Sequence, residues 1–77
     1  MANSPAQPNI LGRRIQTLRK KVNFSQKQLV ARIAANGVEM DRTALARIEN
    51  YDRSLRDFEV AAIAKALRVP VAELYKE

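Results

Sequence analysis

Seventy-seven residues hold a single domain, and below roughly 80 residues one core supplies only about 3–5 kcal/mol unless its packing is well idealised or the chain oligomerises. Cys and His are both absent, which removes disulfides, thiolate and imidazole metal ligands and the commonest nucleophiles and general bases, so no enzyme, metal site or cofactor is expected. Fourteen Lys and Arg against eight Asp and Glu leave a net charge of +6, a balance suited to a polyanion such as nucleic acid or an anionic membrane surface.

Residues 1–9 contain Ser4, Pro5, Pro8 and Asn9 and read as a mobile arm, with the folded domain over 10–77. The arm carries no basic n-region or apolar run, so no signal peptide is expected. It has no Lys or Arg either, which argues against a minor-groove role. No later apolar run approaches the roughly 18 residues that span a bilayer, and a cytoplasmic location is expected.

From Ile10 onward the apolar spacing is helical. Leu11, Ile15, Leu18 and Val22 fall at i, i+4, i+7 and i+11, the inward stripe of a first helix, with Arg13, Arg14, Lys20 and Lys21 mostly off it. Asn23 interrupts this helix. Ser25, with Gln28 three residues later, is a capping box for a second helix carrying Leu29, Val30 and Ile33, which Asn36-Gly37 ends.

Asp41 is the expected N-cap of a third helix that turns Leu45 and Ile48 inward and Arg42, Thr43, Ala46 and Arg47 elsewhere. After a turn at Tyr51-Asp52-Arg53, a fourth helix from about Asp57 faces Phe58, Val60, Ile63, Ala64 and Leu67 inward, and Pro70 stops it. A short fifth helix, Val71 to about Tyr75, offers Val71 and Leu74. Nothing reads as a strand, so the fold class is all-α, a compact bundle of five short helices.

Four motifs carry a resemblance: Ser25-Gln26, Leu29-x-x-x-Ile33, Leu45-x-x-Ile48-Glu49-Asn50, and Val60-x-x-Ile63-Ala64-x-x-Leu67-x-Val69. Together they resemble the Cro and phage-repressor type of helix-turn-helix, the XRE family of bacterial and phage transcriptional regulators, from Ile10 to Tyr75. The resemblance implies a lambda-repressor-like DNA-binding domain over residues 10–77. There are departures. Val30 stands where relatives usually have Ala. The link from Ala34 to Met40 is about five residues longer than the tight turn usual in the family, similar to a long-turn subgroup in which an apolar residue before the third helix plugs the core; Met40, with Val38, takes that part here. Tyr51 replaces a usual Gly, which assigns the left-handed position after the third helix to Asn50.

A recognition helix enters the major groove while the preceding helix crosses the backbone. Arg can donate two hydrogen bonds to guanine, Thr can bond a base edge or touch a thymine methyl, and Ala lets the backbone approach. Both that chemistry and alignment with similar proteins place base reading on Arg42, Thr43, Ala46 and Arg47. The resemblance makes Gln26, at the first turn of the second helix, a phosphate clamp, with Lys27, Arg53, Ser54 and Arg56 as further phosphate candidates. Tyr51 and Leu55 read as local packing, and two Tyr and two Phe are too few for a single-strand stacking surface. Arg19 and Glu49 match positions that in similar domains form an ion pair between the first and third helices.

These residues lead to a sequence-specific double-stranded DNA-binding regulator, most simply a homodimeric repressor that occludes its operator. The candidate dimer surface is Val69, Val71, Leu74 and Tyr75, residues that could equally close the monomer core. The alternative is the same fold serving as a protein-interaction module or antitoxin-like partner with incidental DNA affinity. A peripheral membrane role ranks below both, because the basic residues are spread over several helices.

Overall fold

The computed structural model describes residues 7–76, and the expected arm lies mostly outside the described residues. The helices are α1 (Gly12–Lys21), α2 (Gln26–Ala35), α3 (Arg42–Glu49), α4 (Asp57–Leu67) and α5 (Val71–Leu74), with no strand among the described residues.

Asn9 belongs to the folded body rather than to an arm. Its Oδ1 accepts from the Leu11 and Gly12 backbone N–H groups at 2.9 and 2.8 Å. Its Nδ2 donates to the carbonyls of Ile48 at 3.1 Å and Arg53 at 2.7 Å. One buried amide thus starts α1 and ties that start to the last turn of α3 and to the segment that follows it. Gly12 completes the joint, because a Cβ there would collide with the Ile48 carbonyl oxygen and stand 3.0 Å from that of Glu49.

The expected caps of α2 and α3 are made as local chemistry requires. Ser25 Oγ accepts from the Gln28 N–H at 3.0 Å while Gln28 Oε1 accepts from the Ser25 N–H at 2.8 Å. Asp41 Oδ1 accepts from the Ala44 N–H at 2.8 Å.

The four longer helices all end in one way. A residue just past the helix takes a left-handed conformation: two residues on for Asn23 (φ 61°), Gly37 (φ 90°) and Tyr51 (φ 64°) after α1, α2 and α3, and one residue on for Arg68 (φ 60°) after α4. The next N–H then reaches back five residues: Phe24 to Arg19, Val38 to Ile33, Asp52 to Arg47 and Val69 to Ala64, at 2.7–3.3 Å. This closure corrects the end of α3. Asn50 keeps a right-handed φ of −95°, and Tyr51 itself bears the positive φ, because the backward bond from Asp52 forms only with the left-handed residue directly before it. Arg68, not Pro70, likewise terminates α4; Pro70 instead sits at the N-cap of α5.

α2 packs against α3 and α4, α1 against α3, and α5 against α4. The centre is closed by Ile15, Leu29, Ile33, Leu45, Ile48, Ile63 and Leu74, all under 2 % exposed, and each such side chain contributes about 1.5–3 kcal/mol relative to an exposed one. Val38 and Met40, from the six-residue link between α2 and α3, pack half-buried on this core. Val30, Leu55 and Val69 do the same.

Three residues expected inside are on the surface: Val22 (44 % exposed), Phe58 (52 %) and Val71 (42 %). At 3.6 residues per turn Phe58 stands about 160° around α4 from Val60 and faces away from the core. Val22 follows the last residue of α1, and Val71 opens a helix of four residues whose inward position is Leu74.

Candidate nucleic-acid interface

The third helix begins with Arg42 and Thr43, and one turn later come Ala46 and Arg47, so the four residues share a face. Arg42, Thr43 and Arg47 are exposed and Ala46 is half-buried between them. The opposite face holds Leu45 and Ile48 in the core, which leaves α3 no freedom to roll. Asp41, by occupying the Ala44 N–H, sets where the helix and its first Arg begin.

Beneath this face lies a chain of charge-assisted bonds. Glu49, 3 % exposed, receives Arg19 Nε on Oε2 at 2.7 Å and Arg19 Nη2 on Oε1 at 3.0 Å. Arg19 is itself 7 % exposed and gives Nη1 to the Phe24 carbonyl at 2.8 Å. Glu49 Oε1 also accepts from Gln26 Nε2 at 3.0 Å and from Gln16 Nε2 at 3.5 Å. With its amide nitrogen committed there, Gln26 presents Oε1 toward α3, where Arg42 Nη1 donates to it at 3.2 Å. Four side chains therefore connect α1, the end of α3, the start of α2 and the first residue of the reading face. No buried side-chain N or O atom among the described residues lacks a partner. A fully satisfied polar network of this sort holds one geometry.

Arg47 is held more lightly, by Nη2 donating to the Asp52 carbonyl at 3.2 Å. Lys27, beside Gln26 on α2, is exposed. The residues after α3 divide in two. Ser54 and Arg56 are exposed, whereas Arg53 spends its guanidinium on Glu59, with Nη1 and Nη2 donating to the two carboxylate oxygens at 3.1 and 3.0 Å. Glu59 is 5 % exposed and also accepts from the Arg56 backbone N–H at 3.0 Å, which fixes the start of α4. The hydrogen bond from Arg53 holds the Glu59 carboxyl below its usual range, and the same bond raises Arg53. Arg53 thus pairs with Glu59 at the start of α4, since a buried carboxylate must be matched, while 30 % of its side chain stays exposed.

Two contributors escape the sequence reading. Asn9 carries an N-cap signature two residues ahead of an apolar helix start, a signal that was legible. Gln16 gives none, since an exposed-looking Gln on a helix resembles any other. Of the four residues named for a dimer surface, Leu74 is 1 % exposed and belongs to the monomer core, while Val71 and Tyr75 are exposed and Val69 is half-buried.

No helix among the described residues is long and apolar enough to cross a membrane. A family model described as helix-turn-helix matches residues 15–74, from the middle of α1 to the end of α5. No curated protein gives a significant match.

Proposed function

The chain belongs to the Cro/C1-type helix-turn-helix family, the XRE family of DNA-binding regulators, and on that premise we propose that it is a sequence-specific repressor acting as a homodimer on a two-fold operator. The observation that carries this reading is the exposed Arg42, Thr43, Ala46, Arg47 face on a helix whose other side is locked by Leu45, Ile48 and the Arg19–Glu49 pair. A reading helix must be rigid, since discrimination between bases rests on hydrogen bonds whose geometry tolerates little error.

In this reading Arg42 and Arg47 meet guanine edges, Thr43 and Ala46 meet a base edge or a thymine methyl, and Gln26, Lys27, Ser54 and Arg56, with the exposed part of Arg53, hold phosphates on either side. Gln26 keeps the second of its two amide hydrogens for a phosphate, while the first is anchored on Glu49 and its oxygen steers Arg42. Val71 and Tyr75, with Val69, supply the apolar part of the dimer contact. Occupancy of the operator by such a dimer blocks polymerase without any further contact.

Selection of binding sites from random duplex DNA tests the proposal. The expected product is a palindrome whose half-sites lie about one helical turn, 10–10.5 bp, apart. A specific regulator should prefer that sequence over scrambled duplex by about 10³ or more at fixed salt. Equal affinity for selected and scrambled duplexes refutes the repressor reading and favours a protein-interaction module with incidental DNA affinity.

A further inference from the structure

Away from the α3 face, the C-terminal ends of α1, α2 and α4 converge on a cleft of about 730 Å³. Its apolar walls include Leu18, Val22, Phe24 and Val69. Val22 is 44 % exposed there although it is a β-branched apolar residue on the α1 stripe. Around these walls stand Arg14, Lys21, Arg32 and Arg68, with Glu73 as the one acidic side chain of the lining.

The charges are unequally matched. Glu73 accepts from Arg14 Nη2 at 3.0 Å and pairs with Lys76 Nζ at 2.6 Å, so two cations already answer its one negative charge. Lys21, Arg32 and Arg68 have no carboxylate partner among the described residues. Arg32 lies over the Phe24 ring, 4.7 Å from its centroid, which spreads a cation along the apolar wall. Basic residues at helix C-termini ordinarily serve the terminal carbonyls. Here the closing N–H groups of Asn23, Phe24, Gly37, Val38, Arg68 and Val69 already take carbonyls at all three ends. The side-chain N–H groups of Lys21 and Arg68 are left for another acceptor. Arg68 also bears a positive φ of 60°, a position where Gly would be at ease and Arg is strained.

We propose that this cleft binds a small amphiphilic organic anion, with an aliphatic or aryl body against Leu18, Val22, Phe24 and Val69 and a carboxylate or phosphate head among Lys21, Arg32 and Arg68. The volume lies within the roughly 300–1,000 Å³ of small-molecule sites. Three unmatched cations beside an apolar wall select against a neutral body, and the wall selects against a bare anion.

The test titrates the full chain with octanoate, 1-octanol, acetate and a short acidic amphipathic peptide, read by backbone amide NMR shifts. Octanoate below its micelle concentration should give saturable shifts at Leu18, Val22, Phe24 and Val69, and bind at least about tenfold more tightly than octanol or acetate. Arg68→Gly relieves the left-handed backbone, so it should melt no lower than wild type and yet bind octanoate several-fold more weakly; Lys21→Gln should weaken binding likewise. Shifts that fail to saturate, equal affinity for octanol, or wild-type affinity in both variants would overturn the proposal. Tighter binding of the peptide than of octanoate would overturn it too, by making the cleft a protein-docking groove.

Discussion

Replacing Glu49 by Ala leaves Arg19 buried with no carboxylate. Arg19 loses the bonds at 2.7 and 3.0 Å and keeps only the Phe24 carbonyl, and Gln26 and Gln16 lose an acceptor. Both members of the pair are nearly dry, with side chains 9 % and 1 % exposed, so the screening that makes surface pairs worthless is absent. Breaking such a pair from one side costs about 3–5 kcal/mol, mostly the cost of an uncompensated buried charge. At about 0.05–0.15 kcal/mol per residue the whole domain holds only some 4–12 kcal/mol, so the single change removes about a quarter of it or more. Since 1 kcal/mol moves the melting temperature of so small a domain by roughly 4–8 °C, a fall of at least about 12 °C is expected. The assay is urea and thermal unfolding followed by helical circular dichroism, for Glu49→Ala, Arg19→Met and the double variant Arg19→Met/Glu49→Leu. The double variant exchanges the pair for apolar volume and should recover most of the loss. It should not recover DNA affinity, because Gln26 no longer has Glu49 to orient it toward Arg42. Coincident melts of Glu49→Ala and wild type, or a double variant as unstable as the two singles summed, would refute the reasoning.

Other variants address the remaining elements. Arg47→Ala should relax specificity at one operator position at a cost of about 1–3 kcal/mol, whereas Lys27→Ala should weaken all duplexes alike and lower the salt slope by about one, both read by titration across salt concentrations. Tyr51→Gly and Arg68→Gly each relieve a left-handed backbone, and the exposed Arg68 site should gain about 1 kcal/mol in urea unfolding; no gain would mean its backbone carries no strain. Gly12→Ala should destabilise markedly, because the methyl meets the fixed Ile48 carbonyl rather than a mobile side chain. Glu59 gives a pH dependence of known sign. Its carboxyl is held below the ordinary 4.5 in the folded protein, so the stability it contributes is complete above that value and drains away as pH falls through the lower folded value. Urea midpoints measured downward from pH 6 should therefore fall less steeply in Glu59→Gln than in wild type.

What could be read from the sequence is what short-range chemistry decides. Ser25 with Gln28, and Asp41 with the Ala44 N–H, are bonds across three residues, so the starts of α2 and α3 were legible, and with them the register that puts Arg42, Thr43, Ala46 and Arg47 on one face. Helical spacing also sufficed for an all-α bundle with Ile15, Leu29, Ile33, Leu45, Ile48 and Ile63 inside. Partners distant along the chain were not legible. Asn9 is spent on carbonyls 39 and 44 residues away, a choice set by where α1 comes to rest against the end of α3. Arg53 turns to Glu59 rather than to solvent because Glu59 is buried by the packing of α4 and must be matched. Phe58 and Val22 are apolar residues whose periodicity alone pointed inward, yet burial depends on a neighbouring element being present on that side. A cap is satisfied within one turn of its own helix, whereas burial and charge pairing are properties of the assembled bundle; only the tertiary structure could decide them.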